Sequence, residues 1–306
     1  MRKNVNKYKI ILQKIKIRHE GLVTITNKRN KSNLEDMNER DLRRIYGKDY
    51  KKKLISSSDE TNGYLIFDNK YEINSNVDYD VIIIIPTYNR INSLLKIINQ
   101  IINTETKYTY KIIVLDDGSD IPINLIEYEN ITVIRNDTNN GKFLYWKTIG
   151  MLFSESLKYT SHCIIQIDDD FILTKNFLNK VVTKFFEIKN ENNKHVAIKC
   201  HLSDNKLDYN RWGYKNNWID GGGLYDTELI RLINNERLEI SPNRWKHSPL
   251  LGSGVWHKIS EFINKNNLLI YSPDVSYMKH DGNEISMMNF ELRKNNKINT
   301  YNFDDE

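Results

Sequence analysis

The chain has 306 residues, 39% of them apolar, and a formal net charge of +5. That length suits one large domain, or one domain with an appendage, at roughly 100–200 residues per domain. The charge is too mild and too dispersed to argue for nucleic acid, and no stretch approaches the ~20 apolar residues of a membrane span.

Residues 1–78 are Lys-rich and weakly periodic, and read as a basic N-terminal appendage. Its start sets Lys and Arg around Ile10, Ile11, Leu12, Ile15 and Ile17, without the apolar region and cleavage site of a signal peptide. Such a segment either packs on its own domain or lies on an anionic membrane surface. The expected location is therefore cytoplasmic, with peripheral membrane contact as the alternative. Two cysteines, Cys163 and Cys200, lie in or beside apolar runs and read as core residues of a reducing compartment. Met37–Leu54 is predicted to be helical and Tyr64–Phe67 a short strand.

The character changes at Asp80. Val81–Ile85 is an uninterrupted β-branched run, as expected for a strand buried on both faces of a parallel sheet. Pro86 should stop it, and Thr87-Tyr88-Asn89-Arg90 is a polar loop. Ile91, Leu94, Leu95, Ile98, Ile101 and Ile102 then recur at helical spacing. Lys111–Leu115 is a second strand, followed by the acidic turn Asp116–Asp120. Ile131–Ile134 is a third, followed by the turn-forming loop Asn136–Lys142 and a helix over Phe143–Ser154.

Cys163–Phe171 (CIIQIDDDF) is an apolar run that ends in three carboxylates, Asp168, Asp169 and Asp170. Three adjacent like charges repel, and a divalent cation shared with a bound anion removes the repulsion. A solvated acidic turn is the bland alternative. Thr174 reads as the N-cap of a helix through Phe177, Val181 and Phe185. Strand, polar loop and helix thus repeat, which predicts an α/β domain over 79–290 with a mostly parallel sheet flanked by helices. Ligands of such sheets sit outside the carboxyl ends of the strands. Thr87–Arg90, Asp116–Asp120 and Asp168–Asp170 all fall there.

The second half is less regular. Val196–Cys200 is a strand, Trp218–Leu224 places three glycines after Asp220, and Leu268–Pro273 and Val275–Met278 lead into Lys279-His280-Asp281. Residues 291–306 form a polar tail, disordered or partner-bound.

Four segments in order resemble the nucleotide-sugar-dependent glycosyltransferases of the GT-A (Rossmann-like) fold, in particular inverting family 2. They are VIIIIPTYNR (Val81–Arg90), IIVLDDGSD (Ile112–Asp120), NNGK (Asn139–Lys142) and IQIDDD (Ile165–Asp170). Gly221–Leu224 and Leu269–Gly282 extend the resemblance to about residue 285. The resemblance implies that Thr87, Tyr88 and Arg90 line the base and ribose pocket. It implies that Asp117, with Asp116, bonds the base, a carboxylate there suiting a uracil N–H, and that Lys142 or Lys147 faces the nucleotide. It implies that Asp168 approaches the ribose or the metal, with Asp169 also on the donor, that Asp170 coordinates the metal, and that His280 is a further metal or diphosphate ligand. Mn2+ or Mg2+ and a nucleotide-sugar, UDP-linked by preference, are the implied cofactor and donor. A surface glycan, glycolipid, protein or modified nucleobase is the implied acceptor. Nucleic acid is not the favoured partner.

The sequence departs from the family in its base. The stretch His247–Trp256 holds no carboxylate where one is usual. Asp220 is the first candidate for the catalytic base, followed by Asp281, Glu239 and His247. Bland readings stand beside these: an Asx turn for Asp220, a strand-end histidine for His280, a solvated helix face for Lys142 and Lys147, core packing for the tryptophans. Two rival functions remain open. A sugar nucleotidyltransferase should carry a glycine-rich loop where Pro86–Arg90 stands. A non-catalytic carbohydrate- or nucleic-acid-binding module fits the missing carboxylate.

Overall fold

A computed structural model describes residues 25–27, 30–32, 63–65, 77–125, 128–141, 144–192, 194–202, 218–240, 254–281 and 303–304. The predicted helix at Met37–Leu54 lies outside these residues. Near the start, β1 (Ile25–Asn27) and β2 (Asn30–Ser32) form a hairpin. The main sheet has seven strands. In chain order they are β4 (Tyr79–Thr87), β5 (Tyr110–Asp116), β6 (Ile131–Arg135), β7 (Ser161–Gln166), β9 (Val196–Lys199), β10 (Gly223–Asp226) and β12 (Leu269–Tyr271). Across the sheet the order is β12-β9-β10-β7-β4-β5-β6, and every neighbouring pair is parallel except the two that involve β10. This is the mixed, mostly parallel sheet the repeat of strand, loop and helix implies.

The β-branched run of β4 explains its central place. Ile83 and Ile85 join an apolar cluster with Leu94, Ile98, Val182 and Phe185 on one face. Ile82 and Ile84 join Trp146, Ile149, Leu229 and Ile259 on the other. Alternate residues point to opposite faces, so a strand covered on both sides must be apolar throughout. Each isoleucine buried in this way contributes roughly 1.5–3 kcal/mol. The covering helices on the first face are α1 (Ile91–Ile102) and α3 (Phe177–Glu191). On the second they are α2 (Tyr145–Ser156), α4 (Thr227–Glu236) and α5 (Val255–Lys265). Helix α1 follows the predicted period: Leu94, Ile98 and Ile101 are buried, whereas Ile91 and Ile102 at its ends are exposed. No helix of the described residues is long and apolar enough to cross a membrane.

Two sequence expectations are corrected. Pro86 does not stop β4, which pairs with β5 through Thr87. Val81 N–H and Thr87 C=O both bond toward β5, so odd positions face β5 and the proline nitrogen faces β7. There the pairing has already ended at Ile84–Gln166, and no ladder bond is lost. Thr174 is not an N-cap: Asn176 precedes α3 in a left-handed conformation, and the Thr174 hydroxyl donates to the Asp304 carbonyl.

Three small pieces complete the molecule. Strand β3 (Gly63–Leu65) pairs with β11 (Leu238–Ile240), and Leu65, within the stretch read as an appendage, is fully buried in the second cluster. Strand β8 (Phe171–Leu173) pairs with β13 (Met278–His280), which brings His280 opposite Phe171. Within the polar tail, Phe303 bridges to Ser276 and Asp304 pairs with Lys180 at 2.6 Å.

Candidate active site

Strand β4 lies between β5 and β7, so its carboxyl end separates the two acidic loops. Thr87 touches both. Its carbonyl accepts from the Asp117 N–H at 2.9 Å, and its hydroxyl donates to Asp169 Oδ2 at 2.7 Å. The two acidic segments therefore share one flank of the sheet.

The first acidic turn is built around Asp116, which is fully buried. Its carboxylate accepts from the Ser119 N–H at 2.8 Å and pairs with Arg135 at the end of β6. Gly118, with φ of +78°, closes the turn in the left-handed region, where an added Cβ would meet the Thr138 and Asn139 backbone at 2.7 Å. The loop after β4 is latched to this turn: Asn89 N–H donates to Ser119 Oγ and Asp120 N–H to Asn89 Oδ1, both at 2.8 Å. Asn89 itself has φ of 55°, a conformation asparagine tolerates better than most residues. Tyr88 is half-buried beside it.

Asp117 points the other way, into a polar recess. Its Oδ1 accepts from Asn136 Nδ2 and, at 3.3 Å, from the Asn140 N–H. Asn140 Nδ2 in turn donates to Thr148. Burial pushes the Asp117 carboxyl up to about 6 despite these bonds. The two neighbouring aspartates thus divide their work, Asp116 pinning the turn and Asp117 facing the recess.

In the second acidic segment, Asp168 Oδ1 accepts from Gln166 Nε2 at 2.8 Å and from the Tyr145 hydroxyl at 3.1 Å. Asp169 takes Arg90 at 2.9 Å as well as Thr87. Asp170 lies 3.4 Å from Arg90 and 3.3 Å from His280 Nδ1, the latter an ion-pair distance without hydrogen-bond alignment. Burial raises Asp168, with Asp170 adding to the effect. Burial also raises Asp169 to about 7, against the pull of Arg90. His280 stacks on Phe171 with ring centroids 4.3 Å apart, and His201 meets both rings edge-on or tilted.

The glycine turn reaches the same place. An added Cβ at Gly221 would sit 2.6 Å from Asp168 Oδ2, and Gly222 has φ of +89°. Asp220, just before it, is half-buried. Asp281 donates its N–H to the Asp170 carbonyl at 2.7 Å and faces Lys96 at 3.4 Å. The structure therefore brings together Thr87, Arg90, Asp117, Asp168, Asp169, Asp170, His280, Asp281 and the turn after Asp220. It does not gather the others. Glu239 is exposed on β11 opposite Tyr64, and Lys147 is exposed with its amine over Trp146 at 5.6 Å. Lys142 and His247 lie outside the described residues. Trp256 stacks on Tyr225 and Trp218 meets His257, both half-buried, while Trp212 and Trp245 lie outside the described residues.

Four contributors were not singled out from sequence: Gln166, Tyr145, Arg135 and His201. A glutamine interrupting the apolar run Cys163–Ile167 was a readable signal for the first. The others are joined to the site by partners distant in sequence and carried none.

Among the described residues no group of three or more His, Cys, Asp or Glu side chains is gathered as a metal cluster. Arg90 lies across Asp169 and Asp170 instead. The donor chemistry nevertheless suits a hard cation. Asp168, Asp170 and His280 offer carboxylate and imidazole ligands, and Asp168 Oδ2 accepts no hydrogen bond among the described residues.

A mixed, mostly parallel α/β sheet with two acidic loops at the carboxyl ends of its central strands is the architecture of the GT-A fold. Residues 82–229 match the family model "Glycosyl transferase family 2", and the chain has a GT-A fold that resembles that family. No curated protein sequence matches it. Among solved structures it is similar to S. aureus TarS 1–349, at 16% identity over 66% of this chain and 60% of that one, with a TM-score of 0.43. It is also similar to the Pyrobaculum calidifontis mannosyltransferase PcManGT, solved with GDP-Man and Mn2+. That likeness has 15% identity over 56% of this chain and 49% of the other, with a TM-score of 0.36.

Proposed function

We propose that the chain is a metal-dependent glycosyltransferase that moves a sugar from a nucleotide-sugar, UDP-linked, to a hydroxyl acceptor. The observation that carries this reading is Thr87, whose backbone holds the Asp117 loop and whose hydroxyl holds the Asp169 loop. One donor molecule can then span both, with its base at Asp117 and its diphosphate at Asp168–Asp170. The family match over 82–229 supports it.

Each side chain has a part in this scheme. Asp117, ionised above about pH 6, accepts a hydrogen bond from the base, and uracil N3–H is a suitable donor. Arg90 offsets the charge of Asp169 and Asp170 and so keeps the acidic tip compatible with an incoming diphosphate. Asp168, Asp170 and His280 would hold a divalent cation, which would supply Lewis-acid stabilisation of the leaving diphosphate. Asp220 takes the proton of the acceptor hydroxyl, on the face of the sugar opposite the diphosphate, which makes the transfer inverting. Asp281, whose carboxylate lies 3.4 Å from the Lys96 amine, is the second candidate for that role.

A thermal-shift screen of UDP, GDP and ADP with and without Mn2+ tests the reading through mass-action linkage. Stabilisation by UDP that increases with Mn2+ is the expected result. No response to any nucleotide would overturn it. Mn2+-dependent hydrolysis of a UDP-sugar separates an enzyme from a binding module, which would show none.

A further inference from the structure

Gln166 is a polar residue in a place built for apolar ones. It is the last residue of β7, is fully buried, and is paired with Ile84 on one side and Gly223 on the other. An amide there without partners would be costly. Both ends are satisfied. Nε2 donates to Asp168 Oδ1 at 2.8 Å, and Oε1 accepts from the Gly222 N–H at 2.7 Å. The orientation of the amide is fixed by chemistry: a carboxylate only accepts and a backbone N–H only donates. Neither glutamate nor an apolar side chain could make both bonds.

The two partners belong to different halves of the site. Asp168 is on the donor side, and Gly222 is in the turn that follows Asp220. The contact is reinforced by Gly221, where even a methyl group would strike Asp168 Oδ2. With Tyr145 also on Oδ1, the carboxylate of Asp168 has one oxygen held by two donors and the other turned toward the glycine turn.

We propose that Gln166 is a positioning residue: it fixes the carboxylate of Asp168 for the donor complex and ties that carboxylate to the Asp220–Gly223 turn. This rests on the glycosyltransferase reading and adds to it a residue to which the resemblance assigns no role. Groups that orient a ligand carboxylate typically change metal affinity by roughly 10–100-fold when removed.

The test is a double-mutant cycle read by Mn2+ electron paramagnetic resonance, titrating UDP and Mn2+ against wild type, Gln166→Met, Asp168→Asn and the double variant. Methionine matches glutamine in length and makes neither bond. The expected result is a loss of Mn2+-supported UDP binding of about tenfold in Gln166→Met, with no further loss when Gln166→Met is added to Asp168→Asn. An equal loss in both backgrounds, or none in either, would overturn the proposal, since a merely structural role would act independently of Asp168. If Gln166→Met does not fold, the same cycle with Gln166→Asn decides, because an amide one methylene shorter withdraws from Asp168 and adds no charge. Wild type that binds neither Mn2+ nor UDP would instead remove the functional reading, and this inference with it.

Discussion

Asp117→Asn is the sharpest single perturbation of the site. The carboxyl of Asp117 is raised from 3.8 to about 6, chiefly by burial. A difference of about two units at 1.36 kcal/mol each corresponds to a cost of about 3 kcal/mol for carrying the charge in the ligand-free protein. The sign follows from proton linkage. Between pH 4 and 6 the folded state binds more protons than the unfolded one, so stability falls as pH rises through that window. The stabilising share is fully present below about pH 4 and lost above about pH 6. Asparagine keeps the oxygen that accepts from Asn136 and Asn140 and carries no charge. The substitution costs the carboxylate its bond from the Thr148 hydroxyl, which already receives Asn140, so only part of the cost is recovered. Urea unfolding at pH 8 should show the variant more stable than wild type by about 1–3 kcal/mol, with the gap closing toward pH 4. The same variant should bind UDP more weakly, because a carboxylate acceptor has been replaced by an amide. A variant less stable than wild type at pH 8 would refute the reasoning.

Asp170→Ala should fold normally and lose the part of UDP stabilisation that depends on Mn2+; unchanged Mn2+ dependence in a thermal-shift assay would count against its role. Arg135→Met strands the fully buried Asp116 and should cost about 3 kcal/mol, measured by denaturant unfolding. Gly221→Ala forces Asp168 aside and should destabilise by about 1–3 kcal/mol while weakening Mn2+–UDP binding; a wild-type melting temperature and affinity would show that the turn yields freely.

Much of the fold was legible because both faces of the central sheet are covered. Val81–Ile85 could be read as a strand buried on both faces and Lys111–Leu115 as a second strand from composition alone, and the period of Ile91–Ile102 gave its helix. Strand β10 was not legible. Gly223-Leu224-Tyr225-Asp226 has no β-branched residue, and its extended form is imposed by β7 and β9 on either side. Pro86 misled because a proline's missing donor matters only on the side where a partner waits. Within the site, the acidic residues announced themselves, but their division of labour did not. Asp116 and Asp117 look alike in sequence. Arg135, nineteen residues on from Asp116, makes one of them a structural pin, and Asn136 and Asn140 shape the recess around the other. Arg90 likewise lies against Asp169 and Asp170, contacts that its place in the loop after β4 does not announce.

The lone reversed strand has an architectural effect of its own. Because β10 runs against its neighbours, its first residue, Gly223, stands level with the last residue of β7, Gln166. A strand entrance and a strand exit thus meet at one rim, joined by chain segments that approach from opposite senses. The reversal is what lets Gln166 reach the Gly222 N–H, a group that a parallel neighbour would carry at the far end of the sheet.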